Sequence, residues 1–112
     1  PLACSAALAS LQVLNEKNFL SKANETATYF LQRLKEIDNP IIKEARGIGM
    51  FLALELQKPG NDIVIDCMKQ GFLINCIQQN ILRFIPPLII TKKEIDSLVS
   101  VLSNSLAKLN NK

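Results

Sequence analysis

At 112 residues the chain fits one domain able to bury roughly two-thirds of the surface its unfolded form exposes, and 48% apolar with 21% charged residues excludes a disordered segment. The net charge of +3 rests on lysines scattered among acidic residues, with few aromatics beside them, which argues against nucleic-acid binding. No apolar run approaches the roughly 20 residues that cross a bilayer, no secretory leader is expected, and the absence of histidine removes imidazole catalysis and the commonest zinc sites. The odd number of cysteines, Cys4, Cys67 and Cys76, all in aliphatic surroundings, reads as buried free thiols in a reducing, cytoplasmic compartment.

Leu2 to Leu14, rich in alanine and leucine and preceded by Pro1, predicts a helix without a capping side chain. Its small residues Ala3, Ala6, Ala7 and Ala9 point to close packing against something larger. After a break at residues 15–18, Leu20, Ala23, Ala27, Phe30, Leu31 and Leu34 recur on one face of a second helix, which ends by Asp38-Asn39-Pro40. Strands are predicted at Ile41–Ala45 and Met50–Leu56, with Arg46-Gly47-Ile48-Gly49 as a tight turn or bulge between them.

Asn61 or Asp62 is expected to cap a short helix that runs to about Gln70 and stops at Gly71. Phe72–Cys76 and Ile81–Ile85 read as strands joined through Gln78-Gln79-Asn80, and Pro86-Pro87 ends the second. Thr91-Lys92-Lys93-Glu94 is a capping box, and Ile95, Leu98, Val99, Leu102, Leu106 and Leu109 form the apolar stripe of the final helix. This order defines an α+β fold: a small, mostly antiparallel sheet with helices packed on one side, in a single domain over residues 1–112.

One residue carries the chemistry. Arg83 stands in the apolar run Ile81-Leu82-Arg83-Phe84-Ile85, and a guanidinium cannot shed its charge, so burying it there is costly unless an anion meets it. Strand alternation gives it a face shared with Ile81 and Ile85, opposite to Leu82 and Phe84. Two kinds of partner stay open: a protein carboxylate in a structural ion pair, with Glu55 as the candidate, or a carboxylate or phosphate from outside the chain. Gly47-x-Gly49 lacks the third glycine, the strand-to-helix context and the lysine of a nucleotide loop. The thiols have no histidine base and read as structural rather than nucleophilic, and three spread-out cysteines alone are not expected to ligate a metal.

Four segments then resemble a known family: Pro1-Leu2-Ala3-Cys4-Ser5-Ala6-Ala7-Leu8, Glu44-Ala45-Arg46-Gly47-Ile48-Gly49, Gly71-Phe72-Leu73-Ile74-Asn75, and Leu82-Arg83-Phe84-Ile85-Pro86-Pro87-Leu88-Ile89-Ile90-Thr91. Together, in this order, they are similar to the C-terminal part of class III aminotransferases, above all those acting on N-acetylornithine. Ala53 departs from the family pattern, which carries a further glycine there. The resemblance implies the C-terminal small domain of the type I fold, a fragment of a longer homodimeric enzyme, with residues 1–15 a helix at the interface with a large domain.

The activity so implied is pyridoxal-phosphate-dependent amino transfer between N-acetylornithine and 2-oxoglutarate, in arginine biosynthesis. Ornithine, succinylornithine or 4-aminobutyrate transamination is the alternative within the family, and a non-catalytic amino-acid-binding or interaction module the alternative outside it. The Schiff-base lysine and the cofactor contacts are implied to lie upstream, leaving this chain alone inactive and free of cofactor. Arg83 matches the arginine that holds the substrate α-carboxylate and pairs with an upstream glutamate when substrate is absent. Neither nucleic acid nor membrane is an implied partner, and a chain without the large domain should expose apolar surface along its first helix and self-associate.

Overall fold

In the computed structural model, which describes residues 1–112, four strands form one antiparallel sheet. They are β1 (Ile42–Ile48), β2 (Phe51–Leu56), β3 (Asn75–Ile77) and β4 (Ile81–Phe84), in the order β1-β2-β4-β3. Period-2 alternation sorts their side chains. Leu52, Leu54 and Leu56 of β2 and Leu82 and Phe84 of β4 point into the core, whereas Phe51, Ala53, Glu55 and Arg83 lie on the other face.

Four helices complete the chain: α1 (Leu2–Leu14), α2 (Phe19–Lys35), α3 (Asn61–Lys69) and α4 (Lys92–Asn110). Phe30 and Leu34 of α2, Ile63 and Cys67 of α3, and Ile95, Leu98, Leu102 and Leu106 of α4 close over the inner leucines to make one core. Phe30 meets Phe84 with ring centroids 5.6 Å apart. The stripe read for α4 is therefore the core stripe, and the capping box is present in both directions: Glu94 N donates to Thr91 Oγ1 at 3.3 Å, and Thr91 N donates to Glu94 Oε2 at 2.8 Å. Thr91→Ala should lower unfolding stability by about 1 kcal/mol, measured as a shift of the urea midpoint at constant slope.

Several boundaries differ from those expected, each for a tertiary reason. β1 does not stop at Ala45 but continues through Arg46 and Gly47 to Ile48, and the turn is only Gly49-Met50, with Gly49 at φ +53°. Gly47 is needed for close approach: a Cβ there would lie 2.5 Å from the Phe51 carbonyl oxygen. The register irregularity falls earlier, between Ile42 and Glu44. Helix α3 takes no cap from Asn61 or Asp62; Gly60 occupies the N-cap, wedged where a Cβ would come within 2.9 Å of Leu82 Cδ2.

The strand expected at Phe72–Cys76 is reduced to Asn75–Ile77 because the preceding backbone belongs to the end of α3. Gly71, at φ +87°, donates to Met68 O and Phe72 donates to Cys67 O at 2.9 Å, the paired bonds of a Schellman ending. Strand β4 stops at Phe84, one residue before Ile85. On α2, Ala23, Ala27, Phe30 and Leu34 are buried as read, but Leu20 is exposed. Helix α1 buries none of its residues: Leu2, Leu8 and Leu11 face outward, and Cys4 is exposed rather than buried, contrary to expectation, because no other element packs over that end of the helix; of the three thiols only Cys67 is fully buried.

Candidate functional site

All three core helices pack on one face of the sheet, leaving the other face open, as an antiparallel sheet permits. Hydrogen-bond register orders this open face into rows. Arg46 of β1 pairs with Ala53 of β2, which pairs with Arg83 of β4, which pairs with Asn75 of β3. The next row reads Glu44, Glu55, Ile81, Ile77. Two guanidinium-bearing residues therefore flank a methyl group, with a glutamate one row away from both.

Arg83 is half-buried on this open face rather than enclosed by the isoleucines and phenylalanine around it in sequence. Of the two partners left open from sequence, the structural ion pair is not formed: the flanking Leu82 and Phe84 enter the core, and the guanidinium does not follow them. Its one hydrogen bond within the chain runs from Nε to Asn75 Oδ1 at 3.2 Å. That bond occupies one edge of the guanidinium, and the two terminal nitrogens carry no protein partner. They face a shallow pocket of about 280 Å³ lined by Leu73, Ile74, Asn75, Arg83 and Ile85. A guanidinium fork held at Nε beside aliphatic walls is suited to a carboxylate, which it can meet through two parallel N–H···O bonds.

Glu55, the carboxylate proposed from sequence as a partner, is engaged elsewhere. Lys43 Nζ donates to its Oε1 at 2.6 Å, and Arg46 donates from Nη1 to its Oε2 at 2.7 Å. These two cations, Lys43 first, hold the Glu55 carboxyl below its ordinary value of 4.5. Arg46 also donates to Glu44 at 2.9 Å, so Glu44 is a second strand carboxylate in this cluster. Lys43, Glu44, Arg46 and Asn75 escaped the sequence reading because their relation to Arg83 is set by cross-strand register. The alternation within each strand was available, but the pairing between strands was not.

Elsewhere charged side chains pair within the chain, although the buried Ser105 Oγ between α3 and α4 has no hydrogen-bond partner. Between α3 and α4 a cavity of about 320 Å³ includes Asp62, Asp66, Lys69, Lys108 and Lys112, where Lys108 pairs with Asp66 at 3.2 Å and Lys112 with Asp62 at 3.1 Å. No lysine is buried: Lys58 is half-buried, donating to the Leu109 carbonyl at 3.4 Å, and the others are exposed. No group of histidine, cysteine or carboxylate side chains is placed to hold a metal ion. No helix is long and apolar enough to cross a membrane.

A sheet of this order, helix-covered on one face, is the architecture of an aminotransferase domain: the ornithine aminotransferase from Toxoplasma gondii superposes with a TM-score of 0.85 at 30% identity, covering 99% of this chain and 28% of that one. The family model for class III aminotransferases matches residues 1–106, and the chain belongs to that family. It is 42% identical over 111 residues to the acetylornithine aminotransferase of Methanocaldococcus jannaschii, covering 97% of this chain and 28% of that protein. It is also 41% identical over 96 residues to the ornithine aminotransferase of Halalkalibacterium halodurans, covering 86% of this chain and 24% of that protein. The chain thus spans about a quarter of the length of the curated relatives it matches.

Proposed function

We propose that this chain is the C-terminal small domain of a pyridoxal-phosphate-dependent aminotransferase, with Arg83 holding a substrate carboxylate. The observation that carries this reading is the Arg83 fork on the open face, fixed at Nε by Asn75 and without a carboxylate partner. Amino transfer converts the donor amine to a carbonyl and the acceptor carbonyl to an amine; the 2-oxo acid acceptor carries a carboxylate next to its reacting carbon, whereas the free amine of N-acetylornithine lies at the far end of its side chain. A bidentate hold on that carboxylate fixes the α-carbon in position and direction, which lysine's single ammonium does not.

Pyridoxal phosphate supplies the electron sink for the bonds at that carbon. The T. gondii relative was solved with this cofactor in partial occupancy at its active site. None of the residues present fits its attachment, since no lysine is buried in an apolar pocket, so every role assigned to this chain stops at the substrate carboxylate. The rest of a longer, homodimeric enzyme provides the cofactor site and covers residues 1–15, where Leu2, Leu8 and Leu11 of α1 are exposed. Three free cysteines fit a cytoplasmic enzyme.

The preferred substrates are N-acetylornithine and 2-oxoglutarate, placing the enzyme in arginine biosynthesis, a reading supported by the acetylornithine aminotransferase of M. jannaschii. Ornithine transamination is the second reading, supported by a relative of nearly equal identity. Steady-state assay of the enzyme expressed from its full gene, with each amine donor in turn, separates them. N-acetylornithine should exceed ornithine and 4-aminobutyrate in kcat/KM by at least about tenfold, a discrimination of about 1.4 kcal/mol. Preference for ornithine would establish the second reading, and no transfer with any donor would overturn both.

A further inference from the structure

Glu55 stands at equal register offset from two arginines. Its neighbour Ala53 pairs with Arg46 on one side and with Arg83 on the other, so Glu55 is the diagonal neighbour of both on the open face. Diagonal Cβ atoms lie about 7–8 Å apart or slightly less, a distance that arginine and glutamate side chains together span. On the β1 side the contact is made: Arg46 reaches Glu55 at 2.7 Å, and Lys43 adds a second contact at 2.6 Å. On the β4 side it is not made, and Arg83 turns instead to the neutral amide of Asn75.

We propose that Lys43 and Arg46 are positioning residues for the Arg83 anion site: by holding both oxygens of Glu55, they keep the one carboxylate within diagonal reach from closing Arg83 in an internal ion pair. The Glu55 side chain is only 16% exposed, so water alone solvates its charge poorly and it takes whichever cations are offered. With Lys43 and Arg46 present, each carboxylate oxygen is occupied from the β1 side. Without them, the nearest cation is Arg83, and an arriving substrate carboxylate must then compete with an intramolecular one. Arg46 has a further anchor in Glu44 at 2.9 Å, which keeps its guanidinium on the β1 side of Ala53 and out of the Arg83 pocket.

This inference rests on the reading of Arg83 as the substrate-carboxylate residue, and two measurements keep the failures of the two apart. In the full-length enzyme, Lys43→Gln/Arg46→Gln should raise KM for the 2-oxo acid about tenfold, about 1.4 kcal/mol of lost binding, with kcat changed less than about twofold. Adding Glu55→Gln should return KM to within about twofold of the wild type, because the competing carboxylate is gone. Arg46→Lys, which retains a cation, should keep KM near the wild-type value. An unchanged KM in the double variant, or a triple variant as impaired as the double, overturns the proposal; the latter marks structural damage. A crystal structure of the double variant supplies the second readout, independent of activity. Arg83 within 4 Å of Glu55 supports the internal pair even if Arg83 proves not to bind substrate, and Arg83 still on Asn75 alone overturns it.

Discussion

Arg83→Lys in the full-length enzyme should cut kcat/KM for the 2-oxo acid by about 100-fold or more, with most of the loss in kcat. A lysine preserves the charge but replaces a planar fork with a point charge on a flexible stem. The substrate carboxylate would still be attracted, so ground-state binding weakens modestly. What is lost is the alignment of the α-carbon, and a misplacement of about 1 Å can cost about 100-fold in rate. Asn75 Oδ1 fixes the present guanidinium through Nε, an atom for which lysine has no counterpart. Because Arg83 lies on the open face and makes no ion pair within the chain, the same substitution should leave the unfolding midpoint nearly unchanged. Loss of rate with retained stability separates substrate binding from a structural role; wild-type turnover would return Arg83 to the structural role.

Gly47→Ala should produce the largest loss of stability among the glycine substitutions, about 3 kcal/mol by combined overpacking and backbone strain. The added Cβ would meet the Phe51 carbonyl oxygen at 2.5 Å and Leu52 Cα at 2.9 Å, backbone atoms with no rotamer through which to retreat. Gly47 pairs with Leu52, so accommodating the methyl group means parting β1 from β2, which also displaces Arg46 from Glu55. Gly49→Ala provides the control. Its φ of +53° disfavours a side chain, but nothing lies within 4 Å of the new Cβ, so the cost should be about 1 kcal/mol. Equilibrium denaturation of the two variants gives the comparison. Equal losses would show that the left-handed turn, rather than the close approach of β1 to β2, governs this hairpin.

The elements legible in the sequence were those whose signals are complete within a few residues. The α4 capping box needs only Thr91 and Glu94, and its stripe from Ile95 to Leu106 needs only a helical period, so both appear in the structure as read. The Gly71 stop of α3 is local in the same way. The first helix is also present, yet its local signal says nothing of what covers it. The strand ends were less legible because each is decided by a competing partner: Phe72 spends its amide on Cys67, and Gly60 caps α3 because Leu82 leaves no room for a side chain.

The sequence by itself determined the α+β order, the class III resemblance and the identity of Arg83 as the residue most in need of explanation, since alternation and residue chemistry suffice for each. Only the tertiary structure decided that Arg83 sits on an open face, that Glu55 belongs to Lys43 and Arg46, and that Asn75 is the residue bonded to Nε. The physical reason is that charge burial and ion pairing depend on which sheet face the helices cover and on strand register. Both are set by contacts between residues far apart in the chain, and a one-residue shift in register would exchange every partner named here.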